Sequence, residues 1–387
     1  MTEALRVGVV GLGWMGQVHA RAYTRLRQHY LDSTLHPILV AAADNAKDDR
    51  LAQAGSAFGF TDFHDDWHEL IDRDDLDVLS ITGPNFSHRD VAVAAAAAGM
   101  HIWIEKPAGR HAGETAEIAE AVHTAGVRSA VGFNYRNVPA VELARQLIAN
   151  GRIGGVTSVN IRLLTDYAAH PEGALTWRFQ AEWAGSGVLG DLVSHGVDLG
   201  RYVVGEITEL ICDSAIFVPQ RPKISGAASH FSRGTGGAME SVENEDYVCA
   251  LLRFEGGARG TLESSRAAVG EQCTYGIEVH GERGALAWDF RRMGELRTCL
   301  DQDYQNASYA TRYVRPGDGE LALFQPGSGI PMGFDDLKVI EAHRLVQSIA
   351  TGTSVGATID DAVRAAQLVD ALAESVQQRR WISCPTP

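Results

Sequence analysis

The sequence VGVVGLGWMGQVHA, at residues 7–20, begins with a short apolar run and continues through a glycine-rich turn. Gly11, Gly13 and Gly16 match the pattern G-x-G-x-x-G. In that pattern the first glycine makes a tight turn, the second lets the backbone approach a pyrophosphate, and the third lets helix and strand pack closely. The following helix N-terminus offers N–H groups and its positive dipole end to the phosphates. Because the pattern directly follows an apolar strand, it predicts a dinucleotide-binding domain in preference to an ordinary glycine turn.

Length and composition limit the classes of protein to consider. A chain of 387 residues exceeds one average domain and favours two. The net charge of −15 argues against nucleic acid and anionic membranes as partners. The five cysteines occur singly, without the spacing of a zinc site, so we expect free thiols in a reducing cytosol and no metal. The N-terminus shows no basic region followed by an apolar run, so we expect a cytoplasmic protein.

Strand-like and helix-like segments alternate after the glycine turn. Helix patterns at 17–28, 87–98 and 112–125 separate the strand patterns at 38–43, 76–82, 100–104 and 128–133. This alternation predicts a doubly wound parallel sheet that binds its ligand at the carboxyl ends of the strands. The polar residues after each strand, among them Thr82, Pro84 and Asn85, are therefore candidates for cofactor contacts.

Asp44 ends the second predicted strand and bears on the choice of cofactor. A carboxylate at this position can accept hydrogen bonds from the adenosine ribose, and its charge repels a 2′-phosphate, so it favours NAD. Asp44 lies 28 residues beyond Gly16, more than the usual offset, and residues 29–37 must absorb the excess. Lys47 and Arg50 keep NADP open, and Asp44 could instead cap the following helix.

Glu105-Lys106-Pro107 follows the continuous apolar strand at residues 100–104. A lysine at this edge, beside the nicotinamide, can hydrogen-bond a substrate hydroxyl or carbonyl, and its charge would favour the alkoxide that forms as hydride leaves. Pro107 bars a regular helix and can carry a cis bond. The alternative is a surface ion pair or an ordinary turn lysine.

Asp191 and His195 are four residues apart in a segment, 191–204, that has a helix pattern. They would share one helix face, where His195 can exchange a proton near neutral pH and Asp191 can orient a hydroxyl. With Lys106 they would form a proton-handling set. A structural Asp–His pair is the alternative, and a zinc site lacks further ligands at suitable spacing.

Several motifs occur together in the order typical of one family. They are Gly11-x-Gly13-x-x-Gly16, Pro84-Asn85 with His88, Glu105-Lys106-Pro107, residues 133–136 (FNYR), residues 177–180 (WRFQ) and residues 190–198 (GDLVSHGVD). Over essentially its whole length the chain resembles the glucose–fructose oxidoreductase / inositol dehydrogenase family (Gfo/Idh/MocA). Asp166-Tyr167 and residues 175–180 look most similar to the levoglucosan and inositol dehydrogenase branch.

This resemblance implies an α/β protein of two domains. A Rossmann domain is expected at residues 1–136, and an α/β domain with an open, largely antiparallel sheet at residues 137–387. The second domain would bind substrate and carry the contacts of a homodimer or homotetramer, and a C-terminal helix would pack back on the first. The 219–242 segment is rich in glycine and is predicted to be a flexible loop, as an active-site cover or an oligomer arm.

The resemblance also implies an NAD-dependent dehydrogenase that takes hydride from a secondary alcohol of a sugar, anhydrosugar or cyclitol. Lys106, Asp191 and His195 would be catalytic. The expected cofactor contacts are Gly11, Gly13, Trp14, Met15, Gly16, Asp44, Thr82, Pro84, Asn85, His88, Glu105, Lys106, Asn134, Trp177 and Arg178. The expected substrate contacts are Lys106, Tyr135, Asp166, Tyr167, Arg178, Asp191 and His195.

Two other activities remain open at this point. Some members of the family hold NAD tightly and use transient oxidation for glycoside elimination or for hydride exchange between two sugars. Others with this fold act as dinucleotide sensors without catalysis, and they would be expected to lack Lys106 and His195.

Overall fold

The computed structural model describes residues 3–45, 53, 55, 57–224, 232–234, 237–300 and 303–384. The chain forms two compact units, Met1–Asn134 with Gly333–Arg364 and Tyr135–Met332 with Ala365–Pro387. The sequence predicted a boundary at residue 136 and a C-terminal helix packed back on the first domain. In the structure the first unit ends at Asn134 and also includes Gly333–Arg364. The returning segment carries a long helix that packs against the helix following the glycine turn.

Named helices and strands account for most of the described residues. The α-helices are α1 (Trp14–His29), α2 (His68–Ile71), α3 (Asn85–Ala97), α4 (Ala112–Ala125), α5 (Pro139–Ala149), α6 (Ala181–Ala184), α7 (Ser194–Val203), α8 (Phe334–Thr351) and α9 (Ile359–Gln378). The strands are β1 (Glu3–Val10), β2 (Leu35–Ala43), β3 (Asp62–His64), β4 (Val78–Ile81), β5 (His101–Ile104), β6 (Ser129–Val131), β7 (Val156–Leu164), β8 (Ile207–Ala215), β9 (Gln220–Pro222), β10 (Met239–Ser241), β11 (Tyr247–Phe254), β12 (Arg259–Ser265), β13 (Thr274–Gly281), β14 (Gly284–Asp289), β15 (Glu295–Cys299), β16 (Ala310–Tyr313) and β17 (Ile382–Ser383). Among the described helices, none has the length and apolar character that crossing a bilayer requires.

The first unit contains a six-stranded sheet in the order β3-β2-β1-β4-β5-β6. Every neighbouring pair is parallel, as the alternation of strands and helices predicted. All residues of β4 and β6, and three of the four in β5, are buried, which is typical of a parallel sheet covered on both faces. The Rossmann architecture is confirmed, and it places the carboxyl ends of β1, β2, β4 and β5 at one edge.

Two element boundaries in this unit differ from the prediction. Helix α1 begins at Trp14, not Gln17, because Gly13 is its N-cap and the helix starts directly after the turn. Strand β2 begins at Leu35 and contains Pro37, which was expected to lie before the strand. At Pro37 only β1 pairs with β2, since β3 pairs with Ala41–Ala43. A proline is tolerated where one side of a strand has no ladder partner.

The second unit contains a nine-stranded sheet in the order β16-β15-β14-β13-β7-β12-β11-β8-β17. Only β7 and β12 are parallel in this sheet, so the largely antiparallel sheet is confirmed. Helix α7 lies close to β7 at two glycines. A Cβ at Gly196 would lie 2.5 Å from Leu163, and one at Gly200 would lie 2.9 Å from Ile161. This close approach fixes the depth at which the helix carrying His195 lies on the sheet.

The sequence predicted that the 219–242 segment is a flexible loop, but part of it forms β-strands. Strands β9 and β10 pair in antiparallel fashion, with Met239 opposite Pro222 and Ser241 opposite Gln220. Arg221 of β9 is buried and donates hydrogen bonds to backbone carbonyls of residues 168 and 170. Residues 225–231, 235 and 236, on which part of the prediction fell, lie outside the described residues.

Candidate active site

The glycine turn after β1 has the geometry that its sequence requires. Gly11 has a φ of +87° and donates its N–H to the carbonyl of Ala43 at 2.8 Å. A Cβ on Gly16 would lie 1.9 Å from the carbonyl oxygen of Gly11, so no side chain fits there. A Cβ on Gly13 would meet no described atom within 4 Å. The turn is therefore closed where helix meets strand and open at Gly13, as the approach of a pyrophosphate requires.

Asp44 and Thr82 lie at neighbouring strand ends and both hold this turn. The Asp44 carboxylate accepts a hydrogen bond from the backbone N–H of Leu12 at 2.6 Å. The Thr82 hydroxyl contacts the carbonyl oxygens of Val10 at 3.0 Å and Gly11 at 2.6 Å. Asp44 thus occupies the expected end of β2, while Lys47 and Arg50 lie outside the described residues.

His88 braces the loops at this edge of the sheet. It is buried in α3, whose N-cap is Pro84 and whose first residue is Asn85. Its two ring nitrogens lie 2.9 Å from the carbonyl oxygens of Pro107 and Gly83. Burial lowers the pKa of His88, although the hydrogen bonds to the two backbone carbonyls oppose this shift. The Lys106–Pro107 peptide is cis, as its sequence allowed.

Glu105 and Lys106 have different environments although they are adjacent. Lys106 is half-buried after β5, whereas Glu105 is buried within the first unit. Its carboxylate contacts His19 at 3.0 Å and the ammonium of Lys338 at 2.5 Å. Burial alone would raise the pKa of Glu105, but the charge of Lys338 and the hydrogen bond from His19 hold that pKa well below its ordinary value. The structure therefore places the Glu105 carboxylate in an interior ion cluster. A contact of Glu105 with the cofactor stays a prediction.

Two further predicted residues of the first unit have groups suited to a bound cofactor. The Asn134 side chain is buried, and its Nδ2 has no hydrogen-bond partner in the described part of the chain. Such an orphaned amide can be satisfied by a polar group of a bound molecule. Trp14, in the first turn of α1 with Met15, is 65% exposed, and its ring stacks on Phe334 with the ring centroids 5.3 Å apart.

The sequence predicted that Asp191 and His195 share one regular α-helix, but the structure does not place them in one. Leu189–Val193 forms a π-helical turn, and the α-helix α7 begins at Ser194. The Glu245 carboxylate anchors the start of this turn by accepting hydrogen bonds from the N–H groups of Gly187 at 2.8 Å and Leu189 at 2.9 Å. π-Helical turns inside helices frequently occur at functional sites, because they change the direction of one side chain.

The structure pairs four of the predicted substrate residues within the second unit. The Tyr167 hydroxyl donates to the Asp191 carboxylate at 2.6 Å. Burial, and then the charge of Asp191, hold the pKa of Tyr167 well above its ordinary value, so the phenol remains a donor. The ring of Tyr135 lies 4.7 Å from the ring of His195. The rings of three more aromatic residues lie within 6.1 Å of Tyr135, namely Tyr275, Trp288 and Phe290.

The remaining predicted residues occupy the loop that precedes α6. The Arg178 guanidinium lies over the ring of Trp177, 4.3 Å from its centroid. The backbone carbonyl of Arg178 accepts a hydrogen bond from Asn244 at 2.9 Å. Asp166 makes a longer contact, 3.4 Å, with the N–H of Gly270. The side chains of Trp177 and Arg178 are half-buried and are suited to contact a ligand.

The residues that hold this loop in place were not predicted from the sequence. The Phe179 ring contacts two buried guanidinium groups, Arg221 at 4.1 Å and Arg266 at 4.6 Å from its centroid. Arg266 in turn donates to the fully buried Asp246 at 2.7 Å. Arginines in strand-like segments carry no local signal of burial, because the partners that satisfy them come from other segments.

A parallel sheet with this glycine turn, bearing a lysine after β5, defines the class of NAD-binding oxidoreductases. The family profile described as an oxidoreductase family with an NAD-binding Rossmann fold matches residues 5–133, and the profile of the Gfo/Idh/MocA C-terminal domain matches residues 141–287. The chain belongs to the Gfo/Idh/MocA family. The predicted family, fold and cofactor, NAD, are thereby confirmed.

Individual relatives support this assignment over the whole chain. The sequence is 35% identical over 386 residues to levoglucosan dehydrogenase of Pseudarthrobacter phenanthrenivorans, covering 99% of both chains. It is 27% identical to inositol 2-dehydrogenase of Rhizobium meliloti, covering 98% of this chain and 99% of that one. The structure of levoglucosan dehydrogenase in complex with NADH and levoglucosan matches with a TM-score of 0.92 at 33% identity, covering 99% of this chain and 100% of that chain.

Proposed function

We propose that this chain is an NAD-dependent dehydrogenase that oxidises a secondary alcohol of a sugar, anhydrosugar or cyclitol. Levoglucosan is the first substrate to test, because a levoglucosan dehydrogenase is similar over the whole chain. The observation that carries the proposal is the hydrogen bond from Tyr167 to Asp191, which fixes a carboxylate oxygen four residues before His195. A fixed carboxylate and an imidazole four residues apart suit the binding and deprotonation of a hydroxyl group.

The proposal gives each catalytic residue one task. Bound NAD⁺ would supply the acceptor for the hydride of the carbinol carbon, and the chain's own residues would handle the hydroxyl proton. His195 accepts the hydroxyl proton, and Asp191 orients that hydroxyl. The Lys106 ammonium hydrogen-bonds the same oxygen and favours its alkoxide-like state as the carbonyl forms. Positioned proton transfer of this kind contributes about 10²- to 10⁴-fold to a rate.

The proposed cofactor contacts come from the first unit. The open turn at Gly13 and the first residues of α1 would hold the pyrophosphate, and Asp44 the adenosine ribose. The unpartnered Nδ2 of Asn134 is a donor for a polar group of the cofactor. We assign substrate binding to the second unit, through Tyr135, Tyr167 and Arg178. We further propose a homodimer or homotetramer, to be measured by light scattering on the purified protein.

The direct test offers the purified protein NAD⁺ with levoglucosan, myo-inositol, scyllo-inositol, glucose, xylose and galactose, and follows NADH absorbance. Parallel reactions contain NADP⁺. We expect NADH to form with at least one of these polyols, and NADPH to form more slowly in the parallel reactions, because Asp44 repels a 2′-phosphate. An absence of reduced cofactor with every polyol, in protein that binds NAD, would contradict the proposal and favour a sensor or a tightly held cofactor.

Tyr167→Phe tests the carboxylate within this mechanism. Loss of the hydroxyl removes the donor to Asp191 and should lower kcat/KM about tenfold, the effect of about 1.4 kcal/mol, while the affinity for NADH stays unchanged. Tyr247→Phe is the matched control, since that hydroxyl contacts Glu263 at 3.4 Å in the same unit. Equal kcat/KM values for Tyr167→Phe and the control would remove Tyr167 from the mechanism.

A further inference from the structure

Four ionisable side chains are buried together inside the first unit, in a group that we call the Lys338 cluster. It consists of His19 on α1, Glu105 after β5, and Lys338 and Glu341 on α8, and none of the four is more than 7% exposed. The Lys338 ammonium donates to Glu105 at 2.5 Å and to Glu341 at 2.8 Å. Nε2 of His19 lies 3.0 Å from the same oxygen of Glu105.

The cluster already holds its own cation. The ligand atoms of His19, Glu105 and Glu341 lie within 4.8 Å of one another, a spacing that would suit a metal ion. The Lys338 ammonium donates to both carboxylates, so their negative charge is already balanced in part by the chain itself. A buried ion pair is often no more stable than apolar residues of the same volume. Stability alone therefore does not account for the cluster.

The position of Glu105, directly before Lys106, explains the Lys338 cluster better than stability does. The Glu105 N–H donates to the Ile81 carbonyl at 2.9 Å, and its carboxylate is held by His19 and Lys338. A Cβ on Gly132 would lie 2.6 Å from that carboxylate, so no side chain fits beside it at this position. On the other side of Lys106, the Pro107 carbonyl lies 2.9 Å from His88. Both neighbours of Lys106 are thus held in place.

The same cluster joins Lys106 to the helix of the glycine turn. Burial lowers the pKa of His19 to about 4, so its ring is neutral at pH 7 and carries one N–H. That hydrogen belongs on Nε2, where it meets the Glu105 carboxylate, and Nδ1 then faces the Ser80 hydroxyl at 3.4 Å. The Trp103 ring stacks on the His19 ring with a centroid separation of 3.5 Å. Helix α1 and the residue before Lys106 are therefore fixed against each other.

Helix α8 is tied to α1 by two further ion pairs. Arg21 contacts Asp335 at 2.6 Å, and Arg25 contacts Asp336 at 2.6 Å. From these contacts we propose that Lys338 is a positioning residue for Lys106: it holds Glu105 so that the lysine after β5 keeps a fixed place relative to the glycine turn. This inference rests on the proposed function, in which Lys106 contacts the reacting oxygen.

Lys338→Met tests the inference, with Leu345→Ala as the matched control. Leu345 is fully buried on α8, seven residues after Lys338, so its truncation weakens the same helix without touching the ions. We expect Lys338→Met to lower kcat about tenfold to a hundredfold, as a misplaced catalytic group does, and to shift the pH profile of kcat/KM. The dissociation constant for NADH should stay within about threefold of wild type, and Leu345→Ala should keep both kcat and the pH profile.

A double variant separates positioning from simple charge balance. Lys338→Met/Glu105→Gln removes the carboxylate charge that Lys338→Met leaves unpaired, so the thermal midpoint should recover. A kcat that stays low in this stable double variant supports positioning. A kcat that returns together with the thermal midpoint would overturn it, because Lys338 would then serve stability alone.

Amide hydrogen exchange tests the inference without relying on turnover. In Lys338→Met, exchange should accelerate in the peptide that contains Glu105 and Lys106, whereas Leu345→Ala should accelerate exchange in α8. Unchanged exchange at Glu105–Lys106 would overturn the inference even in an active enzyme. If the wild-type chain oxidises no polyol, the proposed function fails, and hydrogen exchange still decides whether Lys338 holds this segment.

Discussion

Gly13 and Gly16 belong to one turn, three residues apart, but their surroundings are opposite. A Cβ on Gly13 would meet nothing within 4 Å, whereas a Cβ on Gly16 would lie 1.9 Å from the carbonyl oxygen of Gly11. Gly13 also has an ordinary φ of −63°, which alanine readily adopts. The conformation of the turn therefore requires glycine at position 16, while at position 13 only a ligand that approaches the backbone would require it.

Gly13→Ala and Gly16→Ala should therefore fail in different ways. Gly13→Ala should keep the thermal midpoint of wild type and weaken NADH binding tenfold or more, or by about 1.4 kcal/mol, because its methyl group would meet the pyrophosphate. Gly16→Ala should lower the free energy of unfolding by about 1–3 kcal/mol through overpacking. Fluorescence titration with NADH and thermal unfolding measure the two effects. Wild-type NADH affinity in Gly13→Ala would show that the pyrophosphate binds elsewhere.

Single residues also mark the limit of prediction from the sequence. The residue types at the strand ends predicted a cofactor edge, and Asp44 lies at that edge. Glu105 was expected there too, but its carboxylate is buried against Lys338, 233 residues further along the chain. Successive residues of an extended chain point to opposite faces, so an adjacent charged pair need not share one environment. Only the distant partner decides which of the two charges is buried.

At the scale of elements, α8 carries two charged residues on the face that packs inward. Burial raises the pKa of Glu341 to about 7, although the neighbouring Lys338 and the indole N–H of Trp103 oppose this shift. The other titratable groups facing it are Glu105 and, from α1, His19 and Tyr23. A carboxyl whose folded pKa exceeds its unfolded value binds its proton more tightly in the folded chain.

The stability of the first unit should therefore depend on pH through Glu341. As the pH rises from about 4.5 to 7, the unfolded chain loses this proton first, so Glu341 contributes less to the free energy of unfolding. The Glu341→Gln variant has no carboxyl group to lose this proton. Its free energy of unfolding, relative to that of wild type, should therefore rise by on the order of 1–3 kcal/mol across that range. Urea unfolding at a series of pH values measures the difference.

Glu114→Gln is the control of opposite sign. Burial alone would raise the pKa of Glu114, but the hydrogen bonds from Arg110 lower it below its ordinary value. This carboxylate stabilises the folded chain above its unfolded pKa, and the contribution is lost as the pH falls. Relative to wild type, Glu114→Gln should lose stability as the pH rises. A Glu341→Gln curve parallel to wild type between pH 4.5 and 7 would show that folding does not raise the pKa of Glu341.

The elements themselves were predicted to different degrees. Continuous apolar runs separated by helix patterns were enough to predict the parallel sheet, because both faces of such a sheet are covered. The π-helical turn at Leu189–Val193 was not predictable, since it depends on Glu245, a residue more than 50 positions away. The pairing of β9 with β10 was not predictable for a similar reason, because it too depends on a distant segment. Its buried Arg221 is satisfied by carbonyls from another loop, so the local sequence looked polar and irregular.

At the scale of the whole molecule, the chain leaves the first unit after Asn134 and returns to it at Gly333. Helix α8, which comes late in the sequence, supplies Lys338 and Glu341 to a sheet built from the first 134 residues. The family resemblance alone led us to expect a C-terminal helix packed back on the first domain, because a helix with a buried face shows the same local pattern whichever sheet it covers. The expected roles of the two domains, cofactor binding and substrate binding, therefore come from the family resemblance. The division of the chain into two units comes from the structure.

The proposed dehydrogenase activity depends on two side chains, the Lys106 ammonium and the His195 imidazole. The most direct measurement is kcat for NADH formation by Lys106→Ala and His195→Ala with the polyol that wild type oxidises. Lys223→Ala is the control, since that lysine forms an exposed ion pair with Glu240. We predict that each active-site variant loses about 10²- to 10⁴-fold in kcat while its dissociation constant for NADH stays near the wild-type value. Wild-type turnover in both Lys106→Ala and His195→Ala would contradict the account.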